Sequence, residues 1–185
     1  MNDIINFWHT DVGIKNHKYL RSIIEDNFPN EGKYTRELEN KVEKLLNVKH
    51  CIATPNCTLA LFMCLKVLGI GHKDEVIIPN LTFPATANAA LMTGAKVVLA
   101  DINSETLNID TYNLSKKITK KTKAIIPVHV SGRHCEVDTI NKIAKKNGIY
   151  VIEDAAEAFF SLYKKKYLGT FGDLGCFSLS PNKII

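Results

Sequence analysis

No stretch of this sequence approaches the ~20 consecutive apolar residues that a bilayer span requires. The opening Met1-Asn2-Asp3 also lacks the basic segment before an apolar run that marks a secretory leader, so a cytoplasmic protein is expected. Disulfide chemistry is equally thin. Cys51, Cys57, Cys64, Cys135 and Cys176 are odd in number and include no Cys-x-x-Cys pair, which points to free thiols in a reducing compartment. His129, His134 and Cys135 come nearest to a metal cluster, but no second matched pair accompanies them and no metal is expected. The formal net charge of +5 comes from scattered lysines such as Lys116-Lys117, Lys145-Lys146 and Lys164-Lys165-Lys166. No aromatic residues alternate with them, so they read as solvated surface and not as a nucleic-acid stripe. A Gly-x-Gly-x-x-Gly turn, which a dinucleotide-binding module needs after its first strand, is replaced by Thr54-Pro55-Asn56-Cys57-Thr58.

What the sequence does contain is an alternation. The 185 residues, 45% hydrophobic and 23% charged, suffice for one substantial domain with a real core. Lys18 to Asp26 reads as a short helix. From Thr35, the positions Leu38, Val42, Leu45 and Leu46 repeat at helical spacing behind a Thr cap with Glu37 and Glu39 in the first turn, which predicts a helix to about Leu46. Short apolar strands then follow at Cys51–Ala53, Glu75–Pro79, Lys96–Ala100, Ala124–Val128 and Tyr150–Ile152. Helices separate them at Thr58–Leu68, Pro84–Thr93, Thr111–Ile118 and Val137–Lys146. Nearly all-apolar strands alternating with helices imply an α/β fold, a mostly parallel sheet covered on both faces. In such sheets ligands collect beyond the carboxyl ends of the strands.

Those strand ends carry chemistry. Asn56-Cys57-Thr58 opens a helix whose free N–H groups and partial positive charge suit a phosphate, with a plain N-cap by Asn56 or Thr58 as the alternative. Phe83 precedes another helix and either stacks on a planar ring or fills the core. Asp154 ends a strand, with Glu157 three residues on; it either caps the next turn or holds a pyridinium nitrogen protonated. Ser178 offers a further hydroxyl, and Lys183 an amine for an aldehyde. A carboxylate and a lysine at separate strand ends are what pyridoxal phosphate requires.

Taken together, Asn56–Leu61, Leu68–Pro79, Thr82–Ala89, Pro127–Gly132, Glu153–Ala158 and Phe177–Lys183 resemble the DegT/DnrJ/EryC1/StrS family of nucleotide-sugar aminotransferases, in family order from about Gly32 onward. The resemblance implies a fold-type-I aminotransferase large domain with pyridoxal 5'-phosphate as cofactor. Lys183 would form the covalent link to the cofactor and shuttle protons, Asp154 would pair with its ring nitrogen, and Phe83 would stack on the ring. Cys57 and Thr58, helped by Ser178, would hold the phosphate, and Glu157 would lie near the ring hydroxyl. Glu at that position resembles perosamine-synthase-like members acting on 4-keto sugars. The family's sugar 3-dehydratases carry His where Lys183 stands, so the sequence resembles a transaminase.

Two departures are visible. Cys57 stands where a glycine is common, and no Gly-Glu-Gly-Gly-like stretch follows Lys183. The expectation is therefore residues 1–31 as an N-terminal arm and helix, and 32–185 as an incomplete cofactor-binding large domain without the C-terminal small domain. The implied function is transfer of an amino group from an amino acid, glutamate, to a nucleotide-linked keto sugar for surface polysaccharide or glycan synthesis, in a homodimer. The alternatives are an inactive truncated remnant of such an enzyme and a non-catalytic nucleotide-binding α/β module.

Overall fold

In the computed structural model, the described residues are Gly13, 17–27 and 31–183; most of the expected N-terminal arm lies outside them. The chain divides into two compact units, Met1–Ala53 and Thr54–Ile185. The first contains α1 (His17–Glu25) and α2 (Lys33–Leu46). Ser22 Oγ and Tyr34 OH lie 2.6 Å apart and tie the two helices together.

Two expectations fail in this unit. α2 begins two residues before Thr35, with Gly32 at the N-cap and no side-chain cap, so Glu37 and Glu39 lie beyond its first turn. Cys51–Ala53 joins no ladder and is no strand. Its N–H groups are satisfied by the helix instead: Cys51 N–H donates to Glu43 Oε1 at 2.9 Å and Ala53 N–H to Glu39 Oε1 at 2.8 Å. Carboxylates one helical turn apart thus serve alternate N–H groups.

The second unit is the α/β domain. Its helices are α3 (Cys57–Val67), α4 (Pro84–Met92), α5 (Thr111–Lys117) and α6 (Val137–Asn147); its strands are β1 (Glu75–Pro79), β2 (Lys96–Ala100), β3 (Thr122–Ile125), β4 (Tyr150–Asp154), β5 (Leu162–Tyr163), β6 (Lys166–Tyr167) and β7 (Leu174–Cys176). The main sheet has the order β2-β1-β3-β4-β7, and every pairing in it is parallel. β5 and β6 form a separate antiparallel hairpin.

The two-residue period of the strands sorts the core into two layers. Val76, Ile78, Ala124, Ile126 and Ile152 join Leu61, Leu65, Ala89 and Ala90 of α3 and α4. Ile77, Ile125 and Val151 join Leu114 of α5 and Ile140 and Ala144 of α6 on the opposite face. The same alternation fixes the last two residues of β4. Asp154 shares parity with Ile152 and faces α3 and α4, whereas Glu153 follows Val151 to the other side. The β3 ladder stops at Ile125 instead of Val128 because Pro127 has no N–H to donate. Its carbonyl accepts from Asp154 N–H at 2.9 Å, and Val128 makes one isolated bridge to Asp154.

The segment between β4 and β7 is tightly packed around glycines. Gly169 adopts φ +84, and a Cβ at Gly175 would run into the Gly169 carbonyl oxygen. Because that obstacle is backbone, Gly175→Ala is expected to cost at least the about 1–3 kcal/mol of an overpacked core. The check is a urea titration, with a lower midpoint at an unchanged slope; an unchanged midpoint would show that β7 can draw away from Gly169.

Candidate active site

The carboxyl ends of β4 and β7 lie side by side, with Asp154 in register with Cys176. α3 packs against both strands. This arrangement brings together a helix N-terminus, a buried carboxylate and the segment that runs from β7 to Lys183.

Asp154 is only 5% exposed. Its Oδ2 accepts from the Thr86 hydroxyl at 2.7 Å, and Thr86 Oγ1 is in turn 2.7 Å from Thr82 Oγ1. Its Oδ1 accepts from Ala156 N–H at 3.2 Å, so the residue does cap the following turn. No lysine or arginine bonds to it among the described residues. Burial therefore pushes its carboxyl above the ordinary 3.8, although the Thr86 and Ala156 hydrogen bonds pull it back. A buried carboxylate with neutral donors and no cation is an unfinished electrostatic arrangement.

The one lysine of this region points elsewhere. Lys183 Nζ donates to Glu157 Oε1 at 3.2 Å, with the lysine side chain 20% exposed. Glu157 Oε2 accepts from Ser131 N–H at 2.9 Å. Ser131 sits in the 3-10 turn Val130–Gly132 at φ 51, a left-handed conformation that aims its N–H at the carboxylate.

α3 starts at Cys57, and its N-cap is Asn56, whose side chain accepts from Leu59 N–H at 2.9 Å. One of the helix's first N–H groups is thus used. The Cys57 thiol is pushed up to about 12, chiefly by burial and next by the charge of Asp154, while the charge of Lys183 opposes this. A single thiol therefore senses both the carboxylate and the amine.

Behind Asp154, on the far face of β4, Glu153 and His129 are fully buried. Glu153 Oε2 accepts from His129 Nε2 at 2.8 Å and from Gly169 N–H at 2.9 Å, and Oε1 accepts from Phe171 and Gly172 N–H at 2.6 Å each. His129 Nδ1 accepts from Cys135 N–H at 3.2 Å, which fixes a neutral imidazole with its proton on Nε2. Burial alone would raise the Glu153 carboxyl; the hydrogen bond from His129, with the Gly172 and Gly169 N–H groups, outweighs it and holds the group below 4.5.

A model of the DegT/DnrJ/EryC1/StrS aminotransferase family matches residues 11–185. The chain belongs to this family. The spore coat polysaccharide biosynthesis protein SpsC of Bacillus subtilis is 39% identical over 93% of this chain, and the GDP-perosamine synthase of Escherichia coli O157:H7 is 41% identical over 92% of it. The chain spans about half the length of these relatives, 44% and 47% respectively. Its fold superposes on the aminotransferase from Psychrobacter cryohalolentis with a TM-score of 0.92 at 32% identity, covering 98% of this chain and 46% of that one. A Streptococcus pneumoniae protein assigned as a sugar aminotransferase, in its PLP form, gives a TM-score of 0.93 at 28% identity, covering 97% of this chain and 50% of that one.

Within this aminotransferase family member, Cys57, Thr58, Asp154, Glu157, Ser178 and Lys183 all stand at or just beyond the carboxyl ends of β4 and β7 or at the start of α3. Thr58 is half-buried on the first turn of α3. Ser178 is two residues past β7, its Oγ accepting from Ser180 N–H at 3.3 Å. Phe83 is the N-cap of α4 and is 73% exposed, so the core reading of this ring fails and its face is free. Of the residues considered for a metal, His129 is committed to Glu153, His134 Nδ1 faces the Cys135 carbonyl at 3.0 Å, and Cys135 Sγ donates to Val128 O at 3.1 Å. Sequence reasoning missed Thr86, Ser131 and the Glu153–His129 pair. Thr86 had one visible signal, a hydroxyl in the otherwise small, mostly apolar run Pro84-Ala85-Thr86-Ala87-Asn88-Ala89-Ala90.

Proposed function

We propose that this chain carries the cofactor-binding half-site of a pyridoxal-phosphate-dependent aminotransferase that moves an amino group from glutamate to a 4-keto sugar linked to a nucleotide, working as a homodimer in the cytoplasm. One observation carries the reading: a cation-free buried carboxylate, Asp154, and a tethered amine, Lys183, flank the start of α3, where the Cys57 thiol feels both charges. Family membership and the GDP-perosamine synthase relative support the nucleotide sugar, and the five free thiols support a reducing compartment.

The residues fit the group. Asp154 lacks a cation, and a protonated ring nitrogen supplies one. The exposed ring of Phe83 offers a stacking face. The remaining N–H groups of α3, the Thr58 hydroxyl and Ser178 offer donors to a phosphate. When bound, pyridoxal phosphate supplies the electron sink that allows an amino group to be exchanged between carbon skeletons. Asp154 would hold the ring nitrogen in its protonated form. Glu157, anchored by Ser131 N–H, holds the Lys183 amine beside the site and would lie near the ring hydroxyl. Lys183 would supply the amine that tethers the group and the base that moves a proton during amino transfer.

Mixing the purified chain with pyridoxal 5'-phosphate and reducing with borohydride should attach the cofactor to Lys183, visible as a tagged peptide. Lys183→Ala should lose that tag completely. An untagged wild-type chain, or a tag spread over surface lysines and unchanged in Lys183→Ala, would remove the proposal. Amino transfer is then read with glutamate and nucleotide-linked 4-keto sugars.

A further inference from the structure

Three thiols lie on the α3 side of the main sheet. Cys57 opens α3, Cys64 follows two turns later on the same helix, and Cys176 ends β7. Cys64 and Cys176, which are 112 positions apart, bring their sulfurs to 3.5 Å. Both belong to the apolar layer formed by Leu61, Leu65, Ile126 and Ile152. The pair is asymmetric. Cys64 is half-buried, whereas Cys176 is only 2% exposed. The two thiols share one S–H···S hydrogen bond, and burial raises Cys176.

We infer that Cys64 and Cys176 form an oxidative modification site, converted to a disulfide by a hydroperoxide such as hydrogen peroxide. Cys64 is the attacking sulfur because it is the more accessible one. Its electron pair forms an S–O bond to a peroxide oxygen as the O–O bond breaks, and the departing oxygen takes a proton and leaves as water. Cys64 is then a sulfenic acid. The Cys176 sulfur attacks it, the S–S bond forms, the S–O bond breaks, and the leaving hydroxide takes the second thiol proton as a second water. The two sulfurs lose two electrons in all and the peroxide gains them.

The motion needed is small. The sulfurs close from 3.5 Å to a bond of about 2.05 Å. The consequence is specific to this site, because the bond would staple α3 to β7. Those elements lead to Cys57-Thr58 and to Ser178, the two arms of the proposed phosphate cradle. Neither Cys135, held on Val128 O across the sheet, nor Cys57 has a sulfur partner bonded in this way among the described residues.

The test needs no bound cofactor and so stands apart from the proposed function. The reduced chain is treated with hydrogen peroxide, remaining thiols are blocked with N-ethylmaleimide, and peptides are mapped without reductant. The expected result is a Cys64–Cys176 cross-linked peptide, lighter by two hydrogens, that dithiothreitol reverses and that persists in Cys57→Ser. The thermal midpoint of wild type and of Cys57→Ser should rise on oxidation, and that of Cys64→Ser or Cys176→Ser should not. Recovery of both cysteines as blocked thiols would overturn the inference. So would Cys64 stranded as a sulfinic acid, or a cross-link that uses Cys57. The wild-type map alone decides among these outcomes, even where a serine variant fails to fold.

Discussion

Glu153→Ala is expected to lower the unfolding free energy by about 3–5 kcal/mol, a large part of the roughly 5–15 kcal/mol that keeps a domain folded. The carboxylate is the common acceptor for four donors: His129 Nε2 and the N–H groups of Gly169, Phe171 and Gly172. Alanine would strand all four, and the loss of an acceptor costs most for the two that are buried, His129 and Gly169. Glu153→Gln tests the reasoning more sharply, since it keeps shape and one oxygen. Its single oxygen can take the place of only one carboxylate oxygen, so its NH2 would face either the His129 and Gly169 donors or the Phe171 and Gly172 N–H groups, and His129 cannot reverse its tautomer while Cys135 N–H occupies Nδ1. A loss of about 1–3 kcal/mol is expected for it. The sign of the pH dependence follows from the carboxyl lying below 4.5. Its contribution is complete above pH 4.5 and fades as pH falls through the folded value, so the acid side of the stability profile should flatten in the Gln variant. Urea midpoints across pH measure all of this. An alanine variant as stable as wild type would mean that water or a rearranged loop replaces the carboxylate.

That pair was hard to see in the sequence for a physical reason. Glu153 and Asp154 are adjacent letters, and only the alternation of β4 sends one to the site and the other to a loop behind it. The parallel sheet was legible because Glu75–Pro79 and Lys96–Ala100 are short and largely apolar and are separated by helices, which leaves few alternatives. The hairpin of β5 and β6 was not. Its two-residue turn, Lys164-Lys165, has both residues at positive φ, 48 and 64, as the preferred hairpin turn demands, but lysines at those positions give none of the usual Asn-Gly signal. Cys51–Ala53 has strand composition, yet the N–H groups of Cys51 and Ala53 are taken by Glu43 and Glu39. Composition there does not name the partner. The same limit applies at the site. Asp154 and Lys183 could be picked out as chemical types, whereas the Ser131 N–H that anchors Glu157 is a backbone group whose direction depends on one left-handed residue.

Asp154→Asn is expected to separate stability from cofactor retention. In the cofactor-free chain the Asp154 carboxyl lies above 3.8 because burial disfavours its charge, with Glu157 adding to this and the Thr86 hydroxyl and Ala156 N–H opposing it. A group raised in the folded state stabilises fully below pH 3.8 and loses that contribution as pH rises through its folded value. At pH 7 to 8 the ionised group is therefore a cost, and a neutral amide that still accepts from Thr86 removes it. The variant should be at least as stable as wild type there, less the weak 3.2 Å bond from Ala156 N–H. Retention of pyridoxal 5'-phosphate should move the other way. An amide offers no charge to hold a proton on a ring nitrogen, and a hydrogen bond to a charged partner is worth about 1.5–3 kcal/mol. At about 1.4 kcal/mol per decade, the affinity should fall by roughly 10- to 100-fold. Thermal midpoints with and without the cofactor, together with a spectrophotometric titration, give both quantities from one preparation. An Asn variant that binds the cofactor as tightly as wild type would show that the unpaired charge beneath α3 and α4 serves the fold, and that the ring nitrogen is held elsewhere.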